Sequence, residues 1–402
     1  MTSPPSATER RNRLTSVDAL RGLVMIIMAL DHVRDFIHRA AMTSQPTDLT
    51  ATTPTLFFTR WITHFCAPVF MFSAGLGAYL WWQKGHSKGE LSRYLVSRGL
   101  WLMLLEVTVM RVAYNFTLSM QYPLLLLVLW VLGACMVSLA LLAWLPWRVL
   151  TVLSVTVVLL HNALDGIPAA TFGSAAWLWN LVHQVGVFHV GPMLVVVGYP
   201  LVPWVAVMAL GFCAGQLMMS EPAVRQRRLL SIGAAMTLGF VVLRALNVYG
   251  DPVRWTSQPS AVFTLLSFLN TTKYPPSLAF LLMTLGPALM VLALLDRQRV
   301  ASDSPLVVFG RVPLFYFVAH FFLAHLATVL LAWARYGAAA GAFRFTPIPS
   351  MGGSRERFPA DFGYELWVAY AVWIGIVLVL YPACRWFANV KATHSAWWLS
   401  YL

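Results

Sequence analysis

Charge is what this 402-residue chain has least of. Only 11% of its residues are Asp, Glu, Lys or Arg, where a soluble domain carries about 25%. That shortage excludes an ordinary soluble globular fold. Cysteine is also scarce. Cys66, Cys135, Cys213 and Cys384 each fall in or beside an apolar run. Their spacing suits neither a disulfide framework nor a metal site, so they read as packing residues. The chain has no GxxxxGK[ST], no GxGxxG after a strand and no HExxH, and its one GxSxG match, residues 85–89, sits in a polar break between apolar runs and not on a strand-to-helix turn. The common soluble nucleotide-binding, hydrolase and zinc-protease classes are thereby removed. There is no internal repeat of the kind many secondary transporters show.

What is present is hydrophobic. Apolar residues make up 59% of the chain, and the mean hydropathy is +0.70. The pattern predicts an all-α fold: a polytopic membrane bundle of about ten transmembrane helices. The apolar runs fall at about 16–38, 54–82, 93–115, 122–144, 147–164, 194–219, 228–249, 277–295, 305–332 and 362–384. Residues 1–15 read as a disordered tail, 16–391 as the membrane domain and 392–402 as a second tail. The basic start resembles a signal-peptide n-region. The segment after it is too long and too charged for an h-region, so it reads as a retained first span. Three long loops, 165–192, 250–276 and 333–361, interrupt the pattern. The first reads as an interfacial amphipathic segment, and the last as disordered. The net charge of +13 sets orientation and does not indicate nucleic-acid binding. With ten spans, the side holding both termini carries 16 Lys and Arg and the other side 7. The positive-inside rule then puts both termini in the cytoplasm.

The first span, SVDALRGLVMIIMALDHVRDFIH, keeps Asp18, Arg21, Asp31, His32, Arg34, Asp35 and His38. Charge at membrane depth is costly, and such residues mark function by default. Arg21 and His32 are eleven residues apart, so they share a helix face with Met25 and Met28, about 16 Å apart along the axis. Asp18 can pair with Arg21, and Asp31 and Asp35 can tune His32. A snorkelling arginine and a histidine satisfied inside the bundle would explain Arg21 but not the cluster. Further polar residues fall in the same outer half: Arg60 and His64, Glu106 and Arg111, His161 with Asn162 and Asp165, Lys273 with Tyr274, and His320 with His325. Pro68, four residues after His64, leaves the His64 carbonyl without its helical donor. On the inner side Arg21, Arg98 and Arg311 stand beside Gly22, Gly99 and Gly310. Glycine lets a ligand approach, and arginine grips phosphate in a bidentate fork.

Arg21 followed by ten residues and His32 matches the R-x10-H motif of the acyltransferase-3 family. More broadly, SVDALRGLVMIIMALDH, HFCAPVFMFSAG, YPLVPWVAVMALG, KYPPSL and GRVPLFYFVAH resemble the bacterial relatives of heparan-alpha-glucosaminide N-acetyltransferase, over nearly the whole chain. In the first span the lysosomal enzyme has Asn where this chain has His32. The resemblance implies an inner-membrane acyltransferase that takes acyl-CoA, with acetyl-CoA the expected donor and no metal. The acceptor would be an extracytoplasmic glycan. His32, Asp31, Asp35, His64 and His320 would then be catalytic, and Arg21, Arg98 and Arg311 would hold the donor phosphates. Arg60, Arg111, His161, Lys273 and Tyr274 would meet the acceptor. Direct transfer and an acyl-histidine intermediate both stay open. A proton-coupled carrier of a small anionic or sugar-like solute is the rival reading. The implied partners are the lipid bilayer, acyl-CoA and the glycan, with no nucleic acid. The oligomeric state, a homodimer included, is not set by the sequence.

The charge asymmetry yields the first prediction. In intact cells an impermeant thiol reagent should label a single cysteine placed at 255 and spare one placed at 225. The reverse pattern would invert the topology and misplace both half-sites.

Overall fold

The computed structural model describes residues 14–119, 121–342, 349 and 353–401. The basic stretch 1–13 and residues 343–348 and 350–352 lie outside them, while the ends of the 333–361 loop, read from sequence as disordered, hold the end of a helix at Tyr336 and 3-10 turns at Gly337–Ala342 and Arg355–Arg357. The chain is mainly helical. Among the described residues, six helices are long and apolar enough to cross a membrane: Pro54–Trp82, Trp147–Leu164, Pro222–Leu246, Leu278–Gln298, Pro313–Ala340 and Leu366–Thr393. The other four predicted runs are helical too. Val128–Leu142 and Trp204–Met218 are shorter, while Thr15–Ile37 and Lys88–Leu105 carry more charge.

Helix α1 (Thr15–Ile37) is central, with 16 of its 23 residues buried. It ends at His38, whose backbone turns extended and whose Nδ1 accepts the Ala40 N–H at 3.3 Å. The second run is broken in two. Helix α2 (Pro54–Trp61) and helix α3 (Cys66–Trp82) are joined by a 3-10 turn, Ile62–Phe65, that holds His64. This is the interruption that Pro68 predicts. Helix α4 (Lys88–Leu105) starts with a capping box between Ser87 and Glu90 and runs into a π-helical turn, Glu106–Met110, then α5 (Arg111–Asn115). The other helices are α6 (Val128–Leu142), α7 (Trp147–Leu160), α8 (Ala176–Val182), α9 (Trp204–Met218), α10 (Pro222–Leu246), α11 (Ala261–Leu269), α12 (Leu278–Gln298), α13 (Pro305–Arg311), α14 (Pro313–Tyr336) and α15 (Leu366–Thr393).

The fold departs from a purely helical one at a small sheet. Strand β1 (Leu124–Leu126) pairs in parallel with β3 (Met193–Val197), which pairs antiparallel with β2 (Gly186–Val190). Two predicted spans therefore begin as strands. The runs LLLLVL and MLVVVGYPLVP are short and uniformly apolar, and periodicity cannot separate a buried strand from a helix in such a run. Pro200 and Pro203 then delay the helix start to Trp204. Glu106 closes the junction. Its carboxylate accepts the N–H groups of Leu129 (2.7 Å) and Trp130 (3.1 Å) at the start of α6, and the Tyr114 hydroxyl at 3.0 Å. A buried carboxylate is thus spent on the orphan donors of a helix N-terminus.

Glycines let the helices meet backbone to backbone. A Cβ at Gly22 on α1 would strike the Leu306 carbonyl oxygen of α13, and one at Gly310 would strike the Asp18 carbonyl. Gly75 and Gly211 do the same for α3 and α9, Gly99 and Gly133 for α4 and α6, Gly233 and Gly286 for α10 and α12. Close packing at small residues is the main attraction available between helices in lipid. At one end Arg225 forks onto Asp296 at 2.9–3.0 Å, and Ser16 donates to the same carboxylate at 3.2 Å, joining α1, α10 and α12.

A methyl group has no room at these crossings. Gly211→Val should cost about 1–3 kcal/mol from overpacking against the Phe72 carbonyl. Gly375→Ala, on α15 where a Cβ meets nothing within 4 Å, should be neutral. Thermal unfolding in detergent compares the two.

Candidate active site

The α1 face predicted to join Arg21 to His32 is built as a polar residue at each end with methionine between. Arg21 pairs with Asp18 at 3.8 Å and donates to the Ser73 carbonyl of α3. It fits there because residue 77 is glycine: a methyl would lie 2.8 Å from Nη2. The side chain keeps 21% exposure. Arg311 ends the short helix α13, whose Gly310 lies on the Asp18 carbonyl. Arg98 is stacked between Tyr94 (4.4 Å) and Tyr401 (5.5 Å), and Tyr94 stacks on Trp81 of α3 at 4.3 Å. Met25 and Met28 are only 1% and 5% exposed. They are packed into the core and do not form an open path.

One imidazole pair lies at the other end of that face. His32 and the buried His320 of α14 have ring centroids 5.3 Å apart, with Phe321 at 4.2 Å from His32. His320 Nδ1 sits 3.1 Å from the Tyr316 carbonyl, so in the neutral ring Nδ1 donates and Nε2 is the acceptor. His320 Nε2, His32 Nδ1 and His64 Nδ1 are all buried without a hydrogen-bond partner. His64 packs on Phe280 at 5.4 Å, with Arg60, Lys273 and Asp31 near enough to act on it electrostatically.

The two carboxylates expected to tune His32 turn elsewhere. Asp31 takes Arg34 at 2.8 Å and, through its other oxygen, Arg60, while Asp35 takes Arg34 at 2.8 Å. The geometry explains it. Asp31, Arg34 and Asp35 lie on one stripe of α1, and His32 is rotated about 100° from Asp31. Arg60 carries the network outward, reaching the Tyr274 hydroxyl at 3.5 Å, which lies 3.3 Å from the Tyr199 hydroxyl. Lys273 Nζ is 5.2 Å from the Tyr274 ring. Enclosure works against ionising Tyr274, but Lys273 and Arg60 outweigh it and hold the phenol below the usual tyrosine range.

Arg60, Lys273 and Tyr274 thus come together with Asp31. Arg111 and His161 do not join them. Arg111 donates to the carbonyls of Ser119 (2.8 Å) and Tyr122 (3.2 Å) and so fastens a loop. His161 has both nitrogens on backbone carbonyls, Val158 and Pro276, at 2.9 Å. His325 is held by the Ala113 carbonyl at 3.0 Å and stacks on Phe116. Tyr199 is the residue that sequence reasoning missed. No local pattern singles it out, since Tyr-Pro occurs four times in the chain, at Tyr122, Tyr199, Tyr274 and Tyr381. Among the described residues no cluster of three His, Cys, Asp or Glu could hold a metal ion.

Residues 13–249 match the profile of the heparan-alpha-glucosaminide N-acetyltransferase catalytic family. The chain belongs to this family. The matched region runs from α1 through α10, so Arg21, His32, Arg60 and His64 lie inside it. Arg311, His320, Lys273 and Tyr274 come from the part of the chain beyond it. A comparison with individual curated proteins gave no match. Family and apolar helices together make this a multi-pass membrane protein of an acetyltransferase family.

The charge network should be the costliest part of the site to break. Removing one partner of a buried pair costs about 3–5 kcal/mol, because a charge is left behind. Asp31→Leu should therefore lower the unfolding temperature sharply, and adding Arg60→Met should restore part of it. No recovery in the double variant would show that the two act separately.

Proposed function

We propose that the protein moves an acyl group, acetyl by preference, from acyl-CoA at the cytoplasmic end to a hydroxyl or amine of a sugar-like acceptor on the far side. The two charged ends of the site carry the argument for two substrates. Arg21 and Arg311 offer guanidinium groups to the donor's phosphates, and Gly77 leaves the room that the Arg21 guanidinium occupies. Arg98 contributes from the Tyr94 and Tyr401 stack. Arg60, Lys273, Tyr274 and Tyr199 offer hydrogen bonds to an acceptor. The single observation that supports transfer is the His32–His320 pair, with unpartnered nitrogens at the Asp31–Arg60 end of the α1 face.

Of the two rings, His32 is the less enclosed. It takes the proton from the attacking hydroxyl or amine as the new C–O or C–N bond forms. The C–S bond then breaks, and the coenzyme A thiolate leaves with that proton. His320, pinned through Nδ1, holds the pair in register. His64 orients the acceptor from the broken turn between α2 and α3. The positive-inside balance supports both termini in the cytoplasm, as an inner-membrane enzyme using cytoplasmic acyl-CoA requires.

Turnover of labelled acetyl-CoA in proteoliposomes, with an acceptor extract outside, tests the reading. His32→Ala should keep donor affinity and lose ~10²–10⁴-fold in transfer, the usual worth of a positioned base. Wild-type transfer should fall as acid protonates the imidazole, because only the neutral ring accepts a proton. Arg21→Ala should weaken acetyl-CoA binding about ten- to a hundredfold, and Arg21→Lys should not fully rescue it. A wild-type protein with no affinity for acetyl-CoA would return the carrier reading. Loss of transfer in His64→Ala with none in His32→Ala would move the base to α2–α3.

A further inference from the structure

Tyr316 is buried to 0% exposure, yet its hydroxyl has no hydrogen-bond partner. Its ring stacks on His320 at 5.6 Å and 18°, and sits 5.2 Å from Phe309. A phenylalanine would serve that packing equally well. Leaving a hydroxyl dry and unpaired is unfavourable unless some state of the protein supplies an acceptor. His320 is not that acceptor in the resting protein, although its Nε2 also stands unpartnered. One face of α14 therefore presents a hydrogen-bond donor, Tyr316 Oη, and an acceptor, His320 Nε2, one helical turn apart. Tyr316 is the nearer of the two to the Arg311 end of the helix.

That pairing suits an acyl group under attack. Its carbonyl oxygen gains negative charge and wants a donor, while the attacking O–H or N–H loses a proton and wants an acceptor, which the imidazole pair supplies through His32. We infer that the Tyr316 hydroxyl donates to the thioester carbonyl oxygen of the bound donor and stabilises the oxyanion beside the imidazole pair. The assignment rests on the acyltransfer reading above. In the step, the nucleophile bonds to the carbonyl carbon and its proton goes to His32. The C=O electron pair moves onto the oxygen that faces Tyr316. On collapse the pair returns, the C–S bond breaks, and the thiolate leaves with the proton.

The test is Tyr316→Phe in the full chain, reconstituted in nanodiscs for binding and melting and in proteoliposomes for turnover. Removing an oxyanion donor costs ~10²–10³-fold in kcat. The variant should show that loss, bind acetyl-CoA within about threefold of wild type because the bond matters most in the transition state, and melt no lower than wild type. Wild-type kcat in the variant overturns this assignment alone. So does a lowered melting temperature with a matching loss of donor binding, which would mark the hydroxyl as structural. A wild-type protein that neither binds nor consumes acetyl-CoA overturns the acyltransfer reading and this assignment together.

Discussion

The buried pairing of Asp31 with Arg60 is the constraint on which the rest of the site depends. Asp31 precedes His32 on α1, and Arg60 lies one turn before His64 at the end of α2. Joining the carboxylate to the guanidinium fixes those two imidazoles relative to each other across two helices. Arg34 and Asp35 complete the network, so neither arginine faces the protein interior without a counter-charge. Arg60 then extends the order to Tyr274 and Tyr199 at the rim. Such a network at membrane depth is expensive to desolvate and weak evidence for stability. Its use here is positional.

The backbone follows the same logic. Unpaired N–H and C=O groups are tolerated at membrane depth only where protein, not lipid, surrounds them. Three irregular pieces of this chain turn residues inward: the 3-10 turn at Ile62–Phe65 buries Thr63 and His64, the π turn at Glu106–Met110 buries its two end residues, and β1 buries Leu125 and Leu126. Each has a local supply of partners. Glu106 caps α6, and β3 pairs with β1. Around them the regular helices close through glycine crossings, which leave no slack for the site to drift. The sealed Met25 and Met28 are a consequence of that closeness.

Much was legible in the sequence because lipid simplifies the reading. Long apolar runs read as helices, and charges inside them stand out against a silent background. The positions of the helical runs, the polar face of α1, the break near His64 and the family likeness all follow from local patterns. Patterns of that kind do not say which polar residues are already occupied. Arg111, His161 and Glu106 look as functional in sequence as Arg60 and Lys273, yet they hold backbone carbonyls and amides. Asp31 and Asp35 look like partners of His32 and serve arginines.

What the sequence by itself determined is the class of molecule: a membrane helical bundle with a charged first span and arginines at glycine-bearing helix ends. Hydropathy and residue spacing along one helix carry that information, and both are local. Only the tertiary structure decided that His320, nearly three hundred residues away, stands against His32, that Tyr199 joins Tyr274, and that Tyr316 is left with an unspent hydroxyl. Those facts depend on which helix faces cross, and side-chain hydrogen bonds are allotted only after the faces have met.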